Sequence, residues 1–358
     1  MKLLAPAPAA PAATALRPSR EAAKPRRPAS LLLAISPLDA REFLPDALGA
    51  EVRGFAADYH EFNPLVGSPE GFARLLAQLD PEIVVTGWKT PPLPENLPPS
   101  LRYVCHLTGT VRELVRRRHL EDGLLVTNWG GSIARVVAEG ALFHVLASLR
   151  RATHWALAMH RDGAWKTREA ETASLFGRRI GIHGFGRVAR ELVALLAPFG
   201  ARVSVCAPDV DAAAERAYGI RKVDTLEGLF ADNDVVIELA PLNPETEGIV
   251  TERLLRLLRP GSVFVNTGRG RVVEEAGLVN VAREGKVFFG LDVFAVEPLA
   301  ADHPLRGLPN VTLTPHLGGP TTDRRRDAGA HGVRNLRAYA AGEPLEAVVT
   351  PELYDISS

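Results

Sequence analysis

The feature that most constrains this chain is a glycine-bearing turn, Gly184-Phe185-Gly186-Arg187-Val188-Ala189, set between an apolar run and an amphipathic one. The run before it, RRIGIH at 178–183, has strand character, and ARELVALLAPF at 189–199 has helical spacing. A tight strand-to-helix turn of this kind belongs to the first βαβ unit of a parallel, doubly wound sheet. Each small residue has a physical reason to be there. Gly184 permits the turn, Gly186 admits a close backbone approach, and Ala189 lets helix and strand pack tightly. The helix start, from Arg187 and Val188, offers free N–H groups and a positive dipole end to a pyrophosphate. The pattern points to a bound dinucleotide.

Five further apolar runs follow at 202–207, 234–239, 262–267, 287–293 and 311–315, with helical patterns between them such as ERLLRLL. Six strands in that arrangement complete a dinucleotide-binding sheet. Before the turn lie LLLAIS from Leu31, IVVT at 83–86, RYVCH at 102–106 and LLVT at 124–127, interleaved with GFARLLAQL and RELVRRRHL. A long helical pattern from Ser132 to His160 joins the two series, and another from Asp323 to Ala341 stops at Gly342. The expected fold is α/β, with two Rossmann-like doubly wound domains. Residues 132–319 form the nucleotide-binding domain. Residues 30–131 and 320–358 form a discontinuous substrate domain, completed by the C-terminal helix. Residues 1–29, rich in Ala, Pro and basic side chains, read as a disordered tail.

Composition removes several classes of function. The 42 basic residues balance 42 acidic ones, so no net charge draws the chain to nucleic acid or an anionic membrane. Cys105 and Cys206 are the two cysteines and lack CxxC spacing, which argues against a disulfide framework or zinc site and fits a reducing cytoplasm. No metal site is expected. The start, MKLLAPAPAAPAA, is interrupted by proline too early for a signal peptide, and no apolar run reaches membrane-spanning length.

Three segments bring chemistry to strand ends: VNTGRG at 265–270, GLDVF at 290–294 followed by Glu297-Pro298, and LTPHLGG at 313–319. Ligands bind at that edge of an open α/β sheet. In GFGRVA, APLNPETEGIV, VNTGRGRVVEEAGL, GLDVFAVEPL and LTPHLGG, taken in order, the chain resembles the D-isomer-specific 2-hydroxyacid dehydrogenase family. VAEGAL at 137–142 and RDGAW at 161–165 are weaker echoes. The resemblance implies an NAD-dependent oxidoreductase interconverting a small 2-oxo acid and its D-2-hydroxy acid, with NADP open as the alternative cofactor. Arg269 would hold the substrate carboxylate and His316 would be the acid–base group. Glu297 would hydrogen-bond His316 and stabilise its imidazolium form. Asp292 would orient the nicotinamide carboxamide, while Pro241, Thr246, Thr267, Gly268 and Gly318 would line the cofactor site. A homodimer is the implied assembly.

Two places depart from the family pattern. Ala207 stands where a carboxylate usually holds the adenosine ribose; the nearest acid is Asp209, and no Arg or Lys adjoins Ala207 in sequence. The substrate loop reads His106-Leu107-Thr108-Gly109-Thr110, with backbone N–H groups around Gly109 and Thr110 available to a carboxylate. Trp88, in TGWKTPPLP, either shapes the pocket or packs beneath that loop, and packing is favoured. His183 reads as a buried strand residue, and His60, His119, His154 and His331 as surface or packing residues. A short-form phosphoglycerate dehydrogenase and a nucleotide-sensing protein resembling the C-terminal-binding-protein corepressors are the alternatives.

Overall fold

The computed structural model describes residues 27–166 and 172–356, which divide into two compact units. Unit 1 comprises the chain up to Ile133 together with Thr322–Ile356, and unit 2 is Ala134–Thr321. Among the described residues no helix is long and apolar enough to cross a membrane.

Unit 1 is built on strands β1 (Ser30–Ala34), β2 (Asp58–Glu61), β3 (Ile83–Thr86), β4 (Tyr103–His106) and β5 (Leu125–Thr127). All pair in parallel in the order β2-β1-β3-β4-β5, so the winding reverses between β1 and β3. The central strands β3 and β4 are buried throughout, which is why they are continuous apolar runs. The edge strand β2, Asp-Tyr-His-Glu, carries no apolar alternation and escaped the sequence reading; charge on an edge discourages pairing with another chain. The helix expected from RELVRRRHL is shorter, Arg117–Glu121. Val111, Leu114 and Val115 have helical spacing and are buried, but the Leu114 carbonyl accepts from Leu93 N, outside any helical ladder. Residues 27–29, expected to belong to the disordered tail, are instead held in place. Ala29 N donates to Glu82 Oε2 at 2.9 Å and Arg27 donates to the Ala56 carbonyl, while residues 1–26 lie outside the described residues.

His106 closes β4 inside this unit, fully buried between two hydroxyls: Thr86 Oγ1 is 2.9 Å from Nδ1 and Thr108 Oγ1 is 2.6 Å from Nε2. Burial pushes its pKa down to about 4, with a hydrogen bond to the Thr110 backbone opposing. The unfolded chain, with an ordinary histidine near 6.5, therefore binds more protons between those values. Stability is full above about pH 6.5 and falls as the pH drops towards 4, by about 3 kcal/mol from this group. Urea unfolding at pH 7 and pH 4 checks this: His106→Gln is expected to lose about 3 kcal/mol less than the parent over that range. Equal losses in both proteins would count against the assignment.

Unit 2 holds strands β6 (Arg179–His183), β7 (Arg202–Cys206), β8 (Arg221–Lys222), β9 (Val235–Glu238), β10 (Val263–Asn266), β11 (Phe288–Leu291) and β12 (Val311–Leu313). They form one parallel sheet in the order β12-β11-β10-β9-β6-β7-β8, and the winding reverses between β6 and β9. The additional strand, β8, has only two residues, both polar, and so carries no readable pattern. Period-two alternation divides the core. Ile180, Ile182, Val235 and Ile237 pack with helices Ala134–Leu149 and Arg187–Leu196 on one face, while Val236, Phe264 and Phe289 meet Glu275–Arg283 on the other.

The helix expected over Ser132–His160 is two, Ala134–Leu149 and Ala152–Asp162, broken where Arg151 takes φ 52°. A left-handed residue turns the chain and ends the first helix, an event that residue periodicity does not encode.

Candidate active site

The turn after β6 has the geometry its glycines require. Gly184 has φ +88°, and a Cβ there would lie 2.8 Å from both Ala240 N and Ala240 Cα, so the backbones of the turn and the β9 end leave no room for a side chain. Gly186, by contrast, would meet nothing within 4 Å. It caps helix Arg187–Leu196 without a side-chain hydrogen bond, leaving the helix N-terminus open at the switch point between β6 and β9. Arg187 is exposed, Val188 half-buried, and Ala189 fully buried against the sheet. Around this edge, Gly268 N donates to Asn266 Oδ1, and the Thr246 hydroxyl closes a turn through the Pro241 carbonyl and Asn243 N. Thr267 Oγ1 is buried without a hydrogen-bond partner among the described residues. An open helix N-terminus, a tight glycine turn and an orphaned hydroxyl together fit a dinucleotide.

The ribose side is where sequence and structure diverge most. Ala207 is buried in the core, so no carboxylate can occupy its place. Asp209 is exposed, and its Oδ2 is 3.8 Å from Arg190 Nη2. Arg190 comes from the helix after the glycine turn; its guanidinium lies over the Phe185 and Tyr218 rings at 5.1 and 5.7 Å, and Nε donates to the Phe185 carbonyl. A cation thus stands beside Asp209 although none adjoins Ala207 in sequence.

His183 and Glu238 end β6 and β9 as register partners on the same sheet face, with Nδ1 2.6 Å from Oε2. Glu238 is fully buried and its Oε1 accepts Ala240 N. Burial alone lowers the His183 pKa, but the charge and hydrogen bond of Glu238 outweigh it, and the net shift is upward. The expectation of a buried strand histidine describes where His183 stands; its acidic partner, distant in sequence, was not foreseen.

The three residues singled out for chemistry follow consecutive strands. Arg269 follows β10, Glu297 follows β11 and His316 follows β12. His316 Nδ1 is 2.7 Å from Glu297 Oε2, and Glu297 Oε1 accepts Phe294 N at 3.0 Å. With a carboxylate as acceptor, Nδ1 carries a proton and Nε2 is the atom turned to other chemistry. His316 has φ 54°, which costs an L-residue about 1–2 kcal/mol. Asp292 holds the residue there: its carbonyl accepts His316 N at 2.9 Å, and its carboxylate accepts Leu317 N and Gly318 N at 2.8 and 2.7 Å. Gly318 is required, since a Cβ would come within 2.7 Å of Asp292 Oδ2. Arg269 is half-buried; burial eases proton loss from its guanidinium, and the Glu297 charge opposes that. It remains a cation.

In unit 1 the candidate substrate loop is fixed from below. A Cβ on Gly109 would lie 2.8 Å from the Trp129 ring, Asn128 Nδ2 donates to the Gly109 carbonyl, and the buried Thr108 hydroxyl is occupied by His106. Thr110 is exposed. The tryptophan beneath the loop is Trp129, not Trp88. Trp88 is 43% exposed, meeting Phe43 and Trp129 edge-on with the Arg325 guanidinium over its ring at 4.9 Å.

A parallel sheet with an open glycine turn at its switch point defines a dinucleotide-binding α/β protein, and a histidine–carboxylate pair stands on the same edge. The family model of the D-isomer specific 2-hydroxyacid dehydrogenase NAD binding domain matches residues 142–318. Glyoxylate/hydroxypyruvate reductase B of Pectobacterium carotovorum is 35% identical over 241 residues, covering 65% of this chain and 74% of that protein. D-3-phosphoglycerate dehydrogenase of Mycobacterium leprae is 36% identical over 222 residues, 62% of this chain but only 42% of the relative's length. The solved structure of a glyoxylate reductase from Paecilomyes thermophila superposes with a TM-score of 0.76 at 25% identity, covering 91% of this chain and 99% of that one. The chain belongs to the D-isomer specific 2-hydroxyacid dehydrogenase family.

Proposed function

We propose that the protein is an NAD-dependent oxidoreductase that interconverts a small 2-oxo acid and its D-2-hydroxy acid. The observation that carries this reading is the His316–Glu297 pair, 2.7 Å apart, on the sheet edge that also presents Arg269. A bound nicotinamide supplies the hydride. His316 Nε2 gives its proton to the substrate carbonyl oxygen in reduction and takes it back in oxidation. Glu297 accepts from Nδ1, which orients the ring and leaves Nε2 towards the substrate. Arg269 grips the carboxylate with its planar fork, which fixes the carbonyl for attack. On unit 1, the Gly109–Thr110 backbone is the candidate carboxylate ligand, since the Thr108 hydroxyl is already engaged by His106.

Gly184, Gly186, Arg187 and Val188 would cradle the pyrophosphate, and Thr246, Thr267, Gly268, Pro241, Asp292 and Gly318 the remaining cofactor. Asp209 would hold the ribose hydroxyls while engaging Arg190. Asp209→Asn should release that cation for a 2′-phosphate and move the NADPH-to-NADH ratio of kcat/KM up about tenfold; an unchanged ratio would remove Asp209 from the ribose site. A homodimer is part of the proposal, supported by exposed Phe143, Leu157, Met159 and Trp165 on unit 2. A cytoplasmic location is supported by Cys105 and Cys206 being free thiols. The relatives turn over glyoxylate, hydroxypyruvate or 3-phosphoglycerate by name. Assaying those three substrate pairs with NADH or NAD tests the reading; tight cofactor binding without turnover of any 2-oxo acid would favour the nucleotide-sensing alternative.

A further inference from the structure

A second histidine lies behind this edge, unused by the mechanism above. His144, on helix Ala134–Leu149, is 2% exposed, and its Nε2 is 2.9 Å from Thr314 Oγ1. The Thr314 hydroxyl has a single proton and donates it to Asp292 Oδ1, a carboxylate that can only accept. It must therefore accept from His144, whose Nε2 carries a proton when Asp292 is ionised. The same Asp292 carboxylate binds Leu317 N and Gly318 N, and its backbone carbonyl binds His316 N. One continuous chain of hydrogen bonds thus runs from His144 through Thr314 and Asp292 to the backbone that holds His316 left-handed at φ 54°.

The far side of His144 supports this polarity. Nδ1, left as a bare acceptor, is buried without a partner among the described residues, and so is the hydroxyl of Ser148 one helical turn on. Both face β11 closely, since a Cβ on Gly290 would approach His144 Cβ and Ser148 Oγ to 3.0 Å each. A hydroxyl donor and an imidazole acceptor are complementary.

We infer that His144 is a positioning residue for His316, acting through Thr314 and Asp292 to fix the 316–318 turn in its working conformation. This inference rests on His316 being the acid–base group. Burial lowers the His144 pKa, opposed by the Asp292 charge, a net direction that favours the neutral ring. Because the turn orients the acid, while the pyrophosphate is assigned to the distant Gly184–Val188 turn, the effect falls mainly on kcat and only weakly on NADH affinity.

His144→Leu and His144→Gln separate positioning from packing. Leucine fills the space without a donor, whereas glutamine restores an N–H towards Thr314. His144→Leu is expected to lower kcat about tenfold with the NADH dissociation constant within about twofold of the parent, and His144→Gln to recover most of the loss. Two readouts do not depend on turnover. Nitrogen NMR of ring-labelled protein should find His144 protonated at Nε2, and amide exchange at Leu317 and Gly318 should quicken in His144→Leu. A parent-like kcat in His144→Leu, a glutamine variant as impaired as the leucine one, or an Nδ1-protonated ring would each overturn the inference. If the parent turns over no 2-oxo acid, the functional reading fails, while the NMR and exchange measurements still decide whether the chain of hydrogen bonds exists.

Discussion

Replacing His316 by glutamine is expected to lower kcat for reduction of a 2-oxo acid by about 10²- to 10⁴-fold, with NADH affinity changed less than about threefold. Glutamine approximates the reach of imidazole and can still meet Glu297, but it has no proton to give at neutral pH. The loss therefore isolates proton transfer from the architecture around it. Structure should survive: His316 is half-exposed, and the turn is held by its backbone and by Asp292. Glu297→Gln keeps a hydrogen-bond partner for Nδ1 but removes the carboxylate charge beside the ring, so a smaller fall in kcat is expected. Steady-state kinetics with direct titration of NADH binding checks both variants. Should His316→Gln retain kcat within about threefold of the parent, another group would have to be the acid.

Arg269→Ala is expected to reduce kcat/KM by about 10²- to 10³-fold, or about 3–4 kcal/mol. A guanidinium that has already lost much of its hydration gives a carboxylate a strong, charge-assisted contact at little further cost. Arg269→Lys should recover only part of the loss, because a point charge cannot reproduce the planar fork. The deficit should lie mainly in KM if Arg269 binds the ground state and transition state alike, and in kcat if it aligns the carbonyl. A 2-oxo acid ester, without the carboxylate charge, should be turned over by parent and Arg269→Ala at similar low efficiency. A normal kcat/KM for the free acid in Arg269→Ala would displace this residue from the substrate site.

What the sequence made legible follows from locality. The glycine turn, and the arginine, glutamate and histidine after β10, β11 and β12, lie in short segments whose meaning is set by immediate neighbours. Buried strands such as Ile83–Thr86 and Val235–Glu238 declare themselves because both faces are covered. The polar edge strands β2 and β8 did not, since nothing apolar marks them. Nor did the break at Arg151, where helical spacing runs on but the backbone does not. Contacts between distant segments were wholly invisible: Arg190 with Asp209, His183 with Glu238, and His144 with Thr314. Each joins different elements at one sheet edge, and only the winding order brings them together. Asp292 illustrates the limit best. Its motif suggests a role towards the nicotinamide, whereas its carboxylate is heavily engaged by Thr314, Leu317 and Gly318, on either side of His316.

The most direct measurement is oxidation of NADH by the purified parent protein with glyoxylate, hydroxypyruvate and larger 2-oxo acids, followed by chiral analysis of the hydroxy acids formed. The account predicts turnover of at least one 2-oxo acid, D configuration in any chiral product, and near-complete loss of that turnover in His316→Gln. Tight NADH binding with no 2-oxo acid reduced, or an L product formed equally well without His316, would contradict it.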